Sequence, residues 1–440
     1  MRRMVFVFAV ALTPALATAG WIRTYGGVGA GHCVRQTSDG GYIVSGWIGE
    51  NLDTSALCLM KTDTLGDTLW VGRYYFSKGG VGHCVQQTTD GGYILVSSTY
   101  AYDGAGDLLL IKTDEEGDTV WTKVYGSWWE DVGRWVEQTT DGGYILTGVI
   151  QPTGSGKHMW LLRTDKDGDT IWTRNYKPLG DRNWFGNCVQ PTLDGGYIVS
   201  GSAVLMKTDS QGDSIWTSPY GSAGVRQTSD GGYIMATSHY KDVWIIKTNP
   251  EGDTVWTRTY GGDDEEYSYD VQQTTDGGYI IVGETHSFAT GRGSNVWLLK
   301  TDANGDTLWT RVLEPGIGRS VQQTTDGGYI ISGSFGGGFL GLIKTDSLGY
   351  VGVEEPPSTP TLSNWEVVSA IGHEVVLRYH DKPGGFHAKI YDISGKKVAE
   401  CHSNLTSGTL EWGEGISPGV YFIREESETS PSVQKVILIE

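Results

Sequence analysis

The sequence predicts an all-β fold: a seven-bladed β-propeller closed by its N-terminal strand, followed by a small β-sandwich. Three observations predict it. Asp-Gly-Gly-Tyr begins at Asp39, Asp90, Asp141, Asp194, Asp230, Asp276 and Asp326, a period of 36 to 53 residues, and such a period signals a propeller or solenoid. The 440 residues include 65 Gly, 23 Tyr and 17 Trp and are only 19% charged, a composition of short aromatic strands and tight turns. Finally, Trp21-Ile-Arg-Thr-Tyr-Gly-Gly27 near the start of the chain repeats Trp256-Thr-Arg-Thr-Tyr-Gly-Gly262 almost residue for residue, which bears on how the array ends.

Taken in order, Arg2 and Arg3 precede an apolar run from Met4 to Leu12, and Ala17-Thr-Ala19 stands before Gly20. Residues 1–19 read as a secretory signal peptide, too short to span a membrane as a helix and ending in small residues that suit a signal peptidase. No later segment reaches about 18 consecutive apolar residues, so the mature chain is expected to have no transmembrane segment. The protein is expected outside the cytoplasm.

Residues 20–350 hold the repeat. One copy reads Ser268-Tyr-Asp-Val-Gln-Gln-Thr-Thr-Asp-Gly-Gly-Tyr-Ile-Ile-Val-Gly283 and continues after a loop as Asn295-Val-Trp-Leu-Leu-Lys-Thr-Asp-Ala-Asn-Gly-Asp-Thr-Leu-Trp-Thr-Arg311. Four runs of Val, Ile, Tyr, Trp and Thr between Gly and Asp clusters predict four strands, A (271–274), B (279–283), C (296–301) and D (307–312). Asp-Gly between A and B supplies the positive backbone angles of a tight hairpin, and Thr-Asp-x-x-Gly-Asp-Thr does the same between C and D. A lone four-stranded meander cannot bury both faces, whereas a ring of them can. The seventh copy has A, B and C but never reaches a D-strand Trp, so the strand beginning at Trp21 is expected to complete it.

Trp21, Trp70, Trp121, Trp172, Trp216, Trp256 and Trp309 hold one D-strand position in the seven copies. They are expected to be structural, each indole packing on the neighbouring sheet. Trp160, Trp244 and Trp297 on C strands are expected in the core. Lys-Thr-Asp-x-x-Gly-Asp-Thr-x-Trp, as at Lys112–Trp121 and Lys247–Trp256, resembles the tryptophan-docking motif of pyrroloquinoline-quinone-type propellers and, more loosely, the Asp-box of sialidases. That resemblance implies a blade-stabilising hairpin and adds no catalytic set or cofactor.

Metal and disulfide chemistry have weak candidates. Asp165, Asp167 and Asp169 alternate as carboxylates do at the start of a calcium loop, but the downstream bidentate acid that Ca²⁺ needs is absent. The expectation is that these Asp side chains bond turn amides. His32-Cys33 and His83-Cys84 occupy matching A-strand positions near the axis, where a His/Cys metal site or a Cys33–Cys84 disulfide is conceivable. Repeat duplication explains the pairing without either. Five cysteines at wide spacing are no disulfide framework, and no cofactor is expected. A net charge of −19 with no basic stripe argues against nucleic acid, whose backbone is bound by Lys and Arg.

After Val351 the composition changes. Residues 351–363 form a Pro-rich linker around Glu354-Glu-Pro-Pro-Ser-Thr-Pro360. Residues 364–440 then carry strand-length runs at Val375-Val-Leu-Arg-Tyr, His387-Ala-Lys-Ile-Tyr-Asp-Ile, Gly408-Thr-Leu-Glu-Trp, Gly419-Val-Tyr-Phe-Ile-Arg and Val433-Gln-Lys-Val-Ile-Leu-Ile, a small β-sandwich. With Ile390-Tyr-Asp-Ile-Ser-Gly-Lys-Lys-Val398, Trp412, Gly419-Val-Tyr-Phe422 and Lys435-Val-Ile-Leu-Ile439, this tail resembles the sorting domain of type IX secretion substrates and the related hook-assembly-type, immunoglobulin-like module. The resemblance implies a bacterial protein, export past the outer membrane through that secretion machinery, and a secreted or cell-surface location.

The A–B and C–D turns hardly vary between copies, whereas the B–C and D–A loops do, and in a meander those two variable sets emerge on one face. Variable loops on a repeated scaffold are where function is usually placed. Their aromatics and acids are the candidate ligand-binding residues: Trp47, Trp128, Trp129, Glu130, Asp131, Asp181, Trp184, Phe185, Asp263, Asp264, Glu265 and Tyr267. Trp and Tyr beside carboxylates suit stacking on sugars or anchoring a protein. The expected function is a binding or adhesive surface protein that recognises an extracellular glycan or protein. The alternative is an extracellular carbohydrate-active enzyme, since two carboxylates on that face could form an acid/base pair, although no catalytic constellation stands out from the repeats.

Overall fold

A computed structural model describes residues 20–49, 55–75, 80–99, 106–129, 131–152, 156–177, 184–289, 291, 293–352, 365–367, 371–372, 375–380, 382–392, 396–413, 415–425 and 433–438. Residues 1–19, expected as a signal peptide, and most of 351–363, expected as a linker, lie outside these residues. The chain divides into two compact units, Met1–Glu354 and Glu355–Glu440, and all regular structure among the described residues is β.

The first unit is built of four-stranded antiparallel meanders. Strands Glu266–Gln273, Tyr279–Thr285, Asn295–Thr301 and the start of Thr307–Gln323 pair in sequence order as A, B, C and D. The same order recurs in 80–125, 132–176, 186–218 and 224–260. Trp21–Gln36 and Thr307–Gln323 are long enough to serve two meanders each, as D of one and A of the next, and so join three meanders into a ten-stranded sheet. Within it Trp21 faces Lys344 and Tyr25 faces Leu340, so the chain's first strand lies beside strand Phe339–Thr345.

The hairpins show why the signature residues are there. In the A–B turn, Gly277 has φ 83°, and the Asp276 carboxylate accepts from the Gly278 amide at 3.0 Å and the Thr274 hydroxyl at 2.5 Å. A Cβ on Gly278 would stand 2.1 Å from the Thr301 carbonyl oxygen. In the C–D turn, Asp302 accepts from the amides of Asn304 and Asp306 at 2.8 and 2.9 Å.

Neighbouring meanders are joined at both edges. The D-strand Trp meets the Tyr of the next Asp-Gly-Gly-Tyr edge-on, at 5.8 to 6.0 Å, in Trp21–Tyr42, Trp70–Tyr93, Trp121–Tyr144, Trp172–Tyr197, Trp216–Tyr233, Trp256–Tyr279 and Trp309–Tyr329. Such aromatic pairs contribute about 0.5–1.5 kcal/mol beyond their burial. Each indole also lies on the C–D turn glycine of that next meander, as Trp256 does on Gly305. These indoles are half-buried rather than fully buried. Trp160 and Trp297 are fully in the core and Trp244 is half-buried.

At the inner edge the A strands pack against one another in succession, and Thr307–Gln323 packs against Trp21–Gln36. A glutamine stitches them: Gln273 accepts from the Ser229 amide at 2.8 Å, Gln323 from Thr275 at 2.8 Å, and Gln36 from Thr325 at 2.9 Å. Pro191 replaces that glutamine in one copy.

In the second unit, strands Trp365–Val367, Val375–Tyr379 and Gly408–Trp412 form one sheet. Ile371–Gly372, Val433–Leu438, Gly419–Glu425, Phe386–Asp392 and Lys397–Ser403 form another. Both contribute to one core, with Trp365, Leu377 and Tyr379 from the first and Phe386, Ile390 and Ile423 from the second.

Candidate functional site

The strongest candidate surface is the loop from Gly126 to Asp131, between a D strand, Thr119–Tyr125, and the A strand Val132–Gln138. Trp128 is 87% exposed and Trp129 49%. Asp131, expected among the ligand-binding acids, is instead fully buried. Its carboxylate accepts from the Ser127 amide and from the Gln151 amide at 2.8 Å, tying the D–A loop to the end of the B strand. The Ser127 hydroxyl adds a bond to the Gln151 carbonyl at 3.1 Å. A buried carboxylate must be paired in this way, so Asp131 is a brace that holds two exposed indoles in place.

The same device recurs where the sequence reading overlooked it. Glu266, fully buried, accepts from the amides of Gly262 and Ser287 at 3.0 and 3.1 Å and from the Thr285 hydroxyl at 2.9 Å. Tyr125-Gly126 precedes Asp131, and Tyr260-Gly261 precedes Glu266, at the same spacing; that shared spacing was the signal. Above this brace Asp263, Asp264 and Glu265 are exposed. Glu265 accepts from the Tyr267 hydroxyl at 2.7 Å, and the Asp264 amide donates to Ser287 Oγ at 2.8 Å. Lys241 stands 4.0 Å from the Asp264 carboxylate.

Other candidates sit deeper than expected. Trp47 lies within strand Tyr42–Gly49, half-buried and opposite Ala30 and Leu57, rather than on a loop. Trp184 is half-buried against the core around Val189 and Tyr197, and its amide donates to the Lys157 carbonyl at 3.0 Å. Phe185 is half-buried, with the Arg134 guanidinium 5.5 Å from its ring. Glu130 and Asp181 lie outside the described residues.

The calcium-like spacing does not converge on one point. Asp165 accepts from the amides of Asp167 and Asp169 at 2.9 and 2.8 Å, Asp167 pairs with Lys166 at 2.7 Å, and Asp169 pairs with Lys123 at 2.7 Å. The acids are used in turn bonds and ion pairs. His32 and His83 meet edge-on at 5.8 Å, and the His83 imidazole reaches Ser98 Oγ at 3.2 Å. The adjacent thiols have other partners: Cys33 Sγ lies 3.9 Å from Cys84 Sγ and donates to the Val85 carbonyl, while Cys84 donates to that of Val136. All five cysteines are free thiols. Among the described residues no group of three or more His, Cys, Asp or Glu side chains could hold a metal ion.

Two polar layers line the inner edge, and of them the sequence reading had singled out only His32-Cys33 and His83-Cys84. Deeper in, the Trp135 ring lies between Arg35 and Arg226, 5.4 and 4.8 Å from their guanidinium carbons, and its indole donates to Glu137 at 2.9 Å. Arg226 is paired with buried Asp270 at 2.9 Å. The hydrogen bond with Cys84, helped by the charge of Arg35, draws the Cys33 thiol below its ordinary value despite burial, while Cys84 is pushed up. Toward the variable loops, the residue one step before Cys33 in each A strand forms a second layer: His32, His83, Arg134, Asn187, Tyr269 and Arg319 occupy it in six copies and Ala223 in the seventh. Burial, then Arg134 and Arg319, push His83 down to about 4. Arg134 donates to Asn187 at 2.7 Å, and Arg319 stacks on Tyr269 at 5.4 Å.

No family model matches the chain, and no curated protein does. Among solved structures, the WD40 domain of Neurospora crassa Pan2 is similar at a TM-score of 0.50 and 11% identity, covering 74% of this chain and 92% of that domain. The likeness is one of fold. A protein of unknown function from Bacteroides caccae matches at a TM-score of 0.43 and 14% identity, over 62% of this chain and 93% of that one. The extracellular domain of the one-component system BT4673 from B. thetaiotaomicron matches at 0.46 and 12% identity, and this chain, 94% covered, spans 57% of that domain. The chain is therefore an all-β repeat protein of propeller-like, WD40-like build.

Proposed function

We propose that this is an exported bacterial surface protein, a seven-bladed propeller closed by its N-terminal strand, that binds an extracellular glycan or protein through the variable loops of one face. The leader, 1–19, would direct export, and the 364–440 sandwich, immunoglobulin-like by its resemblance to sorting domains, would pass it to a type IX machinery. Ring closure is supported by the pairing of Trp21–Tyr25 with Phe339–Thr345 and by the Gln36–Thr325 stitch.

The observation that carries the binding role is Trp128, 87% exposed beside Trp129 on a loop pinned by a buried carboxylate. A rigid aromatic platform held in place before binding loses little entropy when a ligand stacks on it. Binding of the intact protein to a glycan array and to candidate surface proteins, compared with Trp128→Ala and Trp129→Ala, tests this. Each variant should weaken binding by about 1 kcal/mol or more and leave the melting temperature almost unchanged. Variants that lose stability without altering any binding signal would refute it.

A further inference from the structure

The inner layer nearest the variable loops runs against the net charge of the chain. In a chain of net charge −19, consecutive A strands present Arg319, His32, His83 and Arg134, with no acid at that strand position in any copy. One ring contact and the field of the two arginines tie them together. His32 and His83 are in edge contact at 5.8 Å, both guanidiniums act on His83, and Arg319 acts on His32 as well.

Arg319 is the informative member. Its guanidinium stacks 5.4 Å from the Tyr269 ring, and its Nε is buried with no hydrogen-bond partner among the described residues. The nearby buried carboxylate of Glu284 is engaged by the Tyr269 hydroxyl at 2.7 Å. The side chain as a whole is half-buried, and a guanidinium that makes no hydrogen bond among the described residues leaves its outer N–H groups for an incoming acceptor. An oxyanion is the acceptor whose geometry a guanidinium fits best. His32 and His83, kept neutral by burial and by the neighbouring positive charge, can each still offer one N–H.

We propose that this cluster is an anion subsite, taking a carboxylate or sulfate group of an acidic saccharide whose neighbouring sugars lie across the loop aromatics. The inference rests on the glycan reading of the loop face. Arg319 supplies the fixed charge, Arg134, oriented by Asn187, flanks the group, and Tyr269 holds Arg319 in place.

The test is calorimetric titration of the full mature chain with polygalacturonate, chondroitin sulfate, inorganic sulfate and a neutral dextran. Arg319→Gln should weaken the acidic polymers about tenfold or more, the loss of one charge-assisted hydrogen bond. Arg319→Lys should restore part of that loss, and added salt should weaken the wild type more than Arg319→Gln. A preference for polygalacturonate identifies a carboxylate as the group, and a preference for chondroitin sulfate identifies a sulfate ester. Two results overturn the subsite: a wild type that binds neither acidic polymer, or one that binds them equally well after Arg319→Gln with its melting temperature unchanged. Dextran bound in a Trp128-dependent manner with no acidic preference would end this inference alone, leaving the loop-face reading standing.

Discussion

Replacing one turn glycine and then another in the same meander separates backbone strain from indole docking. Gly277 in the A–B turn and Gly305 in the C–D turn have nearly the same φ, 83° and 81°, so Gly→Ala forces a similar left-handed strain at each, about 1–2 kcal/mol. Their surroundings differ. A Cβ at Gly277 meets nothing within 4 Å, whereas at Gly305 it would stand 2.9 Å from Trp256 Cη2 and Cζ3 and from Arg258 Cγ. Arg258 can swing aside, but Trp256 is held edge-on to Tyr279 at 5.8 Å and must be pushed off its platform. Overpacking of this kind adds about 1–3 kcal/mol. In urea unfolding, Gly305→Ala should therefore cost about 1–3 kcal/mol more than Gly277→Ala. The excess should vanish in a Trp256→Ala background, where the clash no longer exists. Equal costs for the two glycines, or an excess that survives Trp256→Ala, would refute the docking argument.

Two further outcomes are expected. The carboxyls of Asp194, Asp230 and Asp326 are pushed up by burial but more strongly held down, to about 2, by hydrogen bonds from Lys207, Lys247 and Lys344, from the turn Thr hydroxyls and from the second turn Gly amide. Because these folded values lie below the ordinary aspartate value of 3.8, the stability they contribute is present above about pH 4 and is lost as the pH falls toward 2. Lys247→Met should move the acid unfolding midpoint upward by a few tenths of a pH unit in a fluorescence titration; an unmoved midpoint counts against the pair. Asp131→Asn removes one of two acceptors used by the loop and should cost about 1–3 kcal/mol. It should speed hydrogen exchange at Ser127 and Gln151 and weaken ligand binding with Trp128 still present, whereas Glu266→Gln should leave the Ser127 and Gln151 amides as protected as in the wild type.

The scaffold was legible because each meander repeats its own rules. Runs of Val, Ile, Tyr, Trp and Thr between Gly and Asp clusters placed strands such as Tyr279–Thr285 and Asn295–Thr301 within a few residues of their ends. The ion pairs that lock the turns were legible too, had the two motifs been read together. Every Asp of Asp-Gly-Gly-Tyr pairs with the Lys or Arg before the Thr-Asp turn, from Lys61–Asp39 at 2.8 Å to Lys344–Asp326 at 2.8 Å, with Arg163 the one substitution. Trp47 was misplaced by a boundary: strand Tyr42–Gly49 runs further than the repeat consensus suggests.

The site was less legible for a different reason. A repeat consensus separates constant from variable positions, but it does not say which variable positions converge. Asp131 and Trp128 are three residues apart, yet one is fully buried and the other 87% exposed, because the loop turns back on the carboxylate. The inner layer is harder still. His32, His83, Arg134 and Arg319 are scattered over almost 290 residues of sequence; the two histidines stand out as a matched pair, but Arg134 and Arg319 each look like an isolated departure from their own repeat. They form a cluster only when every A strand is placed edge to edge in a common register. The bulge between Gly31 and Cys33, and its counterparts between Gly82 and Cys84 and between Gly318 and Ser320, shifts that register at the residue in question. Strict alternation would therefore misassign the direction of these side chains. In the strands that surround it, the bulge is thus a shared feature that gives one position in each copy a place outside the two-residue pattern, where residues free of the packing rules can collect.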